Sequence, residues 1–417
     1  MFRIWLYLDI ANFFSNLFFK KPKKKIEKLI QKILSDQANK RYTVLCSQCR
    51  VGFFYILKFI KKKYHKNEII FCAYNLPEMI NIAANLNLKI KFCDVDYKTG
   101  LIDLKKLKKK ISKKTAAIVL TNMFNSYPDS IKIKKIAKKN NIKLIEDNAI
   151  YFDNFYKTKK NIFYSGTLGD YTIYSFNIMK NISSLYGGAI STNDKHFINF
   201  FEKETSQLKN FSNSVLMKQI LIFFILKLMS IKLLYKSLFR YIIEYSHKNK
   251  INFILKMFYP SLKDIKRKFP SYYSAKISNL SLYLTYDQLN NFNRRKILFK
   301  LRKEKNHYYF KKFSALRGDN LNLIKISDKN YQNFLDFPIL VKNKKYLNNF
   351  LLEKGIEVRF KHYYNCQKLF GYGEKCFSAE KYENELICLP NHPKISLSYI
   401  DYIVKNIELY YSIKKNN

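Results

Sequence analysis

The sequence predicts an α/β chain: a large domain on a mostly parallel sheet, then a smaller α+β domain. Between residues 40 and 195, short β-branched and aromatic runs alternate with runs of helical period, the pattern of strands joined by covering helices. Glycine is scarce, at 10 of 417 residues, against a usual share of about 7%. Yet Gly166, Gly169, Gly187 and Gly188 all flank Lys180, and where glycine is this rare each one marks backbone that tolerates no β-carbon. Finally, 417 residues that are 47% hydrophobic and 26% charged make a globular chain of about two or three domains.

The first 40 residues form an amphipathic, basic segment. Met1 to Phe19 is apolar and aromatic, and Lys20-Lys21-Pro22-Lys23-Lys24-Lys25 follows. A signal peptide would carry its positive charge first and end in small residues. Asp9, Asn12, Ser15 and Asn16 interrupt the apolar run and make it a poor membrane span.

The large domain is placed at 41–199. Tyr42 to Leu45 reads as a strand, Val51 to Lys63 as a helix, Glu68 to Ala73 as a strand and Glu78 to Asn85 as a helix. Lys89 to Cys93 is a strand ending at Asp94-Val95-Asp96. Thr115 to Leu120 is a buried strand, and Ile131 to Lys139 an amphipathic helix. Lys143 to Glu146, Tyr171 to Ser175 and Ala189 to Thr192 complete the set. Ligands of such sheets bind beyond the carboxyl ends of the strands. Asp147 and Lys180 each follow a strand end, so both are placed to face one cleft.

Residues 200–275 form a helical, hydrophobic extension without glycine. Val215 to Tyr245 is dense in Ile, Leu and Phe but is cut by Lys227, Lys232 and Lys236. Each lysine near a bilayer centre costs about 2.5–3.5 kcal/mol, and a span needs about 20 mostly apolar residues. The stretch therefore argues against a transmembrane helix. An interfacial helix making peripheral membrane contact through 215–245 and a buried or dimer-interface helix fit it equally. The small domain is placed at 276–417. Phe334 to Lys342 reads as an edge strand because Pro338 lies inside it. Tyr346 to Lys354 is a helix capped by Gly355, Glu357 to Phe360 a strand, and Tyr399 to Tyr411 the last helix.

The formal net charge is +46. Lys, Asn, Ile, Phe and Tyr are abundant while Gly, Pro, Ala and Arg are few, the profile of an AT-rich coding bias that spreads Lys over every solvated face. The charge alone therefore names no nucleic-acid partner. Seven cysteines, odd in number and irregular in spacing, read as reduced cytosolic thiols. Cys46-Ser47-Gln48-Cys49 lacks a second pair or a nearby His, so no metal is expected. Asp94 and Asp96 read as a strand terminus.

A lysine after one strand and an aspartate after another suit pyridoxal phosphate, which needs an amine for its aldehyde and a carboxylate for its ring nitrogen. Its phosphate needs backbone amides at a helix start and a hydroxyl. Ser47-Gln48-Cys49-Arg50 has that position, and Ser175 can add the hydroxyl. Tyr74 can stack on the cofactor ring or pack in the core. Arg359 and His362 are candidates for substrate contact. An exposed Lys180 and a structural Asp147 remain open on the residues alone.

The ordered set of motifs resembles the DegT/DnrJ/EryC1/StrS family of sugar aminotransferases. Ser47-Gln48-Cys49-Arg50 is similar to its phosphate loop, and Phe92 to Asp96 to its strand ending in Asp-x-Asp. Thr121 to Asp129 resembles its His-x-x-Gly turn, and Ile145-Glu146-Asp147-Asn148-Ala149 its Ile-Glu-Asp-Ala-Ala segment. Gly169 to Lys180 with Gly187-Gly188 resembles the segment holding the cofactor-bonding lysine. Arg294-Arg295, Gly355 to Arg359 and Leu389 to Pro393 follow in order. The sequence departs at Ile150, where Gln or His is usual, and at Cys49 and Asn125, where glycine is common.

The resemblance implies the fold type I architecture of pyridoxal-phosphate transferases, with a seven-stranded sheet, and a homodimer in the cytoplasm. It implies amino transfer, with glutamate as donor, to a keto group of a nucleotide-linked sugar for polysaccharide or lipopolysaccharide synthesis. Lys180 and Asp147 would be catalytic; Ser47, Gln48, Cys49, Arg50, Tyr74 and Ser175 would bind the cofactor. A sugar dehydratase on the same cofactor, or a non-catalytic membrane-surface homologue, is the alternative. Dehydrating relatives carry His in place of this lysine, so Lys180 favours transfer.

Overall fold

The computed structural model describes residues 3–18, 22–124, 127–157, 162–251, 253–255, 271–316, 320–325 and 335–413. Asn125, Phe334 and residues 256–270 of the helical extension lie outside these. The strands, in chain order, are β1 (Tyr42–Cys46), β2 (Glu68–Cys72), β3 (Tyr74–Asn75), β4 (Lys89–Cys93), β5 (Thr115–Thr121), β6 (Lys143–Asp147), β7 (Phe155–Lys157), β8 (Ile162–Tyr164), β9 (Tyr171–Ser175) and β10 (Gly188–Thr192). Beyond them come β11 (Leu321–Leu323), β12 (Phe337–Val341), β13 (Tyr364–Asn365) and β14 (Leu386–Leu389).

Seven strands form the main sheet in the order β1-β10-β9-β6-β5-β2-β4. Neighbours from β9 to β4 run parallel, and β10 alone runs against them. Every residue of β2, β5 and β10 is buried, as expected for strands covered on both faces. Helix Cys49–Tyr64 covers one face with Phe53, Ile56, Leu57 and Ile60. Helices Lys23–Ala38 and Asn279–Asn290 pack together over Tyr174, Phe176 and Ala189. The segment 279–290 thus sits on the large domain's sheet.

The small domain carries the antiparallel sheet β11-β12-β14. Tyr309, Phe310 and Phe313 of the long helix Phe292–Ala315 pack on Phe337. Here β12 is central, not an edge. Pro338 is accommodated because β11 pairs only with Ile339 to Val341, so the proline stands beyond its end. Glu357 to Phe360 makes one bridge, Arg359 to Cys388, and no strand, because the Phe360 amide turns back to Val358. The long helical stretch is broken into Asn213–Met229 and a second arm, 232–248, at 82° to it. No single helix among the described residues is long and apolar enough to cross a membrane.

Asp94 serves the domain junction. Its carboxylate accepts from the amides of Ser378 (3.2 Å) and Ala379 (2.9 Å) at the start of helix Phe377–Glu385, and from Lys106 at 2.7 Å. Among the described residues no group of acids, His and Cys is placed to hold a metal.

Candidate active site

Strands β1, β6 and β9 end at one edge of the sheet, and β10 begins there. Register sets Cys46 and Ser175 on either side of Gly188. Asp147 closes β6 one strand further on. Residues 47–50 then turn from β1 into helix Cys49–Tyr64. Gln48 is extended at the helix start, and no side chain caps it. The Val51 and Gly52 amides bond back to the Gln48 carbonyl at 3.0 and 3.2 Å. The amides of Cys49 and Arg50 precede that ladder, which makes them donors for an anion.

Gly188 permits this turn. A β-carbon there would lie 2.4 Å from the Cys49 nitrogen. Gly166 is required for a different reason. Its φ is +101°, and a β-carbon would meet the Tyr174 hydroxyl at 2.5 Å. The loop it belongs to is held by Glu146, whose carboxylate accepts from the amides of Gly166 (2.8 Å), Leu168 (2.9 Å) and Gly169 (2.8 Å) and from the Asn122 side chain (3.0 Å). Strand alternation gives two adjacent acids two tasks: Glu146 anchors the loop, and Asp147 joins the Lys180 site.

Asp147 is buried and accepts from the Ala149 amide at 3.0 Å. Burial raises its pKa, while that hydrogen bond and the Lys180 cation pull it down. Lys180 is shifted the other way, to about 8, because burial penalises its ammonium; Asp147 opposes this, and Arg359 and Arg50 add to it. The residue as a whole is half-buried, so the desolvation falls on its amine end. The Cys49 thiol, raised well above its usual range by burial, senses both Asp147 and Lys180. These mutual influences put the helix start, the acid and the lysine within electrostatic reach of one another.

The lysine loop is rigidly tied. The Phe176 amide donates to Gly187 O at 3.0 Å, and the Ser184 amide to Phe176 O at 2.9 Å. Gln288 clasps Ser183 on both sides, accepting from its amide at 2.9 Å and donating to its carbonyl at 2.6 Å. Arg302 donates to Asn181 just after the lysine and to the Tyr7 hydroxyl at 2.8 Å.

The small domain contributes Arg359 and His362. The Arg359 guanidinium meets Asp336 at 2.9 Å and His362 Nδ1 at 3.2 Å. His362 is buried beside Phe124 and Tyr363, with ring centres 5.7 and 4.4 Å away. Burial holds its pKa well below the usual value, helped by Arg359 and Lys180, so the ring is neutral. Its Nε2 is buried without a protein partner among the described residues. A buried polar atom left so is costly unless a ligand answers it.

The remaining candidates divide. Ser47 is fully buried in the turn, and Ser175 is half-buried at the strand end. The Arg50 guanidinium is turned to Glu78 at 3.3 Å and Gln48 at 3.4 Å. Tyr74 packs in the core: its hydroxyl accepts from the Tyr363 amide at 3.1 Å, and its ring lies against Tyr363 and Tyr382. Tyr363 is the aromatic that senses the Asp147 charge. Sequence reasoning passed over it, although it follows His362 directly. Asp336 was also missed, since nothing local marks it. Ile150 is half-buried against the main core.

The sequence pattern of the DegT/DnrJ/EryC1/StrS aminotransferase family matches residues 19–218 and 256–408. A dTDP-4-amino-4,6-dideoxy-D-glucose transaminase of Shigella dysenteriae is 24% identical over 356 residues, 82% of this chain and 79% of that one. A GDP-perosamine synthase of Escherichia coli O157:H7 is 36% identical over 104 residues, 25% of this chain and 28% of that one. The first two curated relatives are matched over 42% and 28% of their own length. Among solved structures, Helicobacter pylori PseC, an aminotransferase involved in the biosynthesis of pseudoaminic acid, superposes with a TM-score of 0.69. It is 18% identical and covers 96% of both chains. At that identity the likeness speaks to the fold.

Proposed function

The chain belongs to the DegT/DnrJ/EryC1/StrS aminotransferase family, and on that premise we propose that it is a pyridoxal-phosphate-dependent aminotransferase acting on a keto group of a nucleotide-linked sugar. The observation that carries the reading is the strand register, which ends β1, β6 and β9 together and so gathers the start of helix Cys49–Tyr64, Ser175 and Asp147 at one sheet edge, with Lys180 in electrostatic reach of Asp147.

The residues fit the cofactor. The Gly188 cradle brings the Cys49 and Arg50 amides to the edge where Ser175 ends its strand, a donor set for a phosphate. Asp147 supplies a buried carboxylate for a ring nitrogen, and Lys180 an amine for an aldehyde. When bound, pyridoxal phosphate would supply an aldehyde for the amine of donor or product and a ring able to take up the electron pair left when a proton departs from the neighbouring carbon. Asp147 keeps the ring nitrogen's proton in place and so favours that acceptance. Lys180, with a pKa near 8, holds a substantial neutral fraction near pH 7–8 and moves the proton from carbon to carbon. His362 Nε2 and Arg359 would face the donor carboxylate or the nucleotide phosphates. Phe124 and Tyr363 shield that side from water.

The proposal extends to glutamate as donor, to a homodimer, and to supply of amino sugars for polysaccharide or lipopolysaccharide. All seven cysteines are buried and unpaired, which supports a reducing cytoplasm; the proposal also includes peripheral membrane contact through 215–245. The test is product analysis with a nucleotide-linked keto sugar, with and without glutamate. Glutamate-dependent formation of amino sugar and 2-oxoglutarate is expected. A dehydrated sugar formed without glutamate would replace this reading with the lyase one.

A further inference from the structure

Helices Ile10–Phe18 and Asn213–Met229 pack as a pair. Phe13 stacks on Phe223 at 5.3 Å, and Phe14 lies 6.0 Å from Phe224. Their inner faces fill a small core distinct from the sheet's, with Leu6, Phe13, Phe223, Leu226 and Met229 buried. Ile178 and Leu185 of the lysine loop belong to the same core, and Gln219 donates to the Leu185 carbonyl at 3.2 Å. Most of the pair lies outside the residues that the family pattern matches.

A surface helix with one face buried ordinarily turns polar residues outward. These two do not. Ile10, Phe14, Leu17 and Phe18 follow i, i+4, i+7, i+8 spacing and are 45, 41, 45 and 71% exposed. Met217, Leu221 and Leu228 make a second stripe, 61, 61 and 47% exposed. The Phe14–Phe224 contact joins the stripes into one apolar ridge. Exposed hydrophobics on a soluble surface are normally scattered singly. In the sequence flanking or within the two helices, Lys24, Lys25, Lys218, Lys232 and Lys236 are exposed. Residues 213–255 hold 7 Lys and Arg against one acid, Glu244, which is already paired with Lys248 at 3.1 Å.

Three occupants can be weighed. Neither helix alone is long and apolar enough to span a bilayer, and Asn213–Met229 reaches that length and composition only together with the arm 232–248, which bends away by 82°. A second copy in an isologous contact would set the same cations against themselves. An anionic bilayer answers both features, taking the apolar ridge into its headgroup–acyl boundary and the lysines onto its headgroups. We propose that helices Ile10–Phe18 and Asn213–Met229 form a docking surface for an anionic phospholipid membrane. This deepens the peripheral-contact reading and is independent of the amino-transfer chemistry.

The test is flotation of the full chain with vesicles of equal parts phosphatidylglycerol and phosphatidylcholine, and with phosphatidylcholine alone. The wild type should float with the anionic vesicles, and less so at high salt. Phe18→Glu with Leu221→Glu should bind at least about tenfold less, with melting temperature and amino transfer unchanged. Lys232→Glu with Lys236→Glu should weaken binding without touching the ridge, which covers the case where the first variant misfolds. Failure of the wild type to float, or flotation of both variants equal to that of the wild type, overturns the proposal. It is also overturned if the vesicles are ignored and Phe18→Glu with Leu221→Glu dissociates a dimer in sedimentation. Flotation that persists in a preparation without amino transfer upholds the docking surface and counts only against the enzymatic reading.

Discussion

The sheet edge around Lys180 and the helix pair around Phe14 and Leu221 draw on the same composition in opposite ways. At the edge, charges are buried and answered. Glu146 accepts from four donors, Asp147 from the Ala149 amide, and Lys180 is desolvated beside Asp147. In the helix pair, apolar side chains occupy the outer face as well as the inner one. The one half-buried cation there, Lys227, has its pKa lowered to about 8 by burial and donates to the Leu6 carbonyl at 3.2 Å, with no buried acid in contact among the described residues. In a chain this rich in Lys and Phe, neither type is informative by itself. What distinguishes the regions is where each type breaks its usual placement: a desolvated lysine amine answered by a buried acid at the edge, phenylalanines turned outward in the helix pair.

The strongest way to break this contrast is to exchange lysines. Lys180→Ala should lower amino transfer by at least about 10³-fold with no loss of thermal stability, whereas Lys236→Ala should leave turnover at the wild-type level. Steady-state kinetics and thermal melts check both; equal losses would mean that Lys180 is not distinguished. Next comes the glycine cradle. Gly188→Ala drives a β-carbon toward the Cys49 nitrogen and should cost about 1–3 kcal/mol while weakening cofactor uptake, read by urea unfolding and by titration. Gly371 has open space around it, so Gly371→Ala should cost only the strain of its positive φ, about 1 kcal/mol, and leave uptake alone.

A smaller effect sharpens the electrostatic side. In cofactor-free protein the Lys180 pKa of about 8 lies below its ordinary 10.5. The unfolded chain therefore binds more protons between those values, and stability rises with pH across that window. Denaturation at pH 8 and pH 10 should show that rise reduced in Lys180→Met. Smallest of all, Met217→Ser on the outer face of the helix pair should change stability by no more than about 0.5 kcal/mol and leave activity intact. A larger loss by urea unfolding would mean that the ridge is covered from within the fold.

Much of the edge was legible in the sequence. Short β-branched and aromatic runs gave the strands, and scarce glycines marked where backbones approach. An Ile-Glu-Asp run and a lysine before a glycine pair gave the two reacting groups. The less visible parts depend on distant pairing. Asp336 meets Arg359 through a fold-back no local pattern announces. Tyr74 and Tyr363 are both plausible aromatics, and only the β3–β13 pairing decides which lies inside the core and which toward Asp147. Pro338 argued for an edge strand, but the shortness of β11 lets it sit in a central one. The helix pair was half-read: the apolar content of 215–245 was plain, while its bend and its seating on Ile10–Phe18 follow from tertiary packing.

The central claim is that one lysine among 77 lysines and arginines carries the chemistry. Its most direct test is to load the purified protein with pyridoxal phosphate, reduce it with borohydride and map the label by peptide mass spectrometry. A single label on Lys180, diminished when glutamate is added first, is the expected result. Label spread over surface lysines, or no label at all, would contradict it.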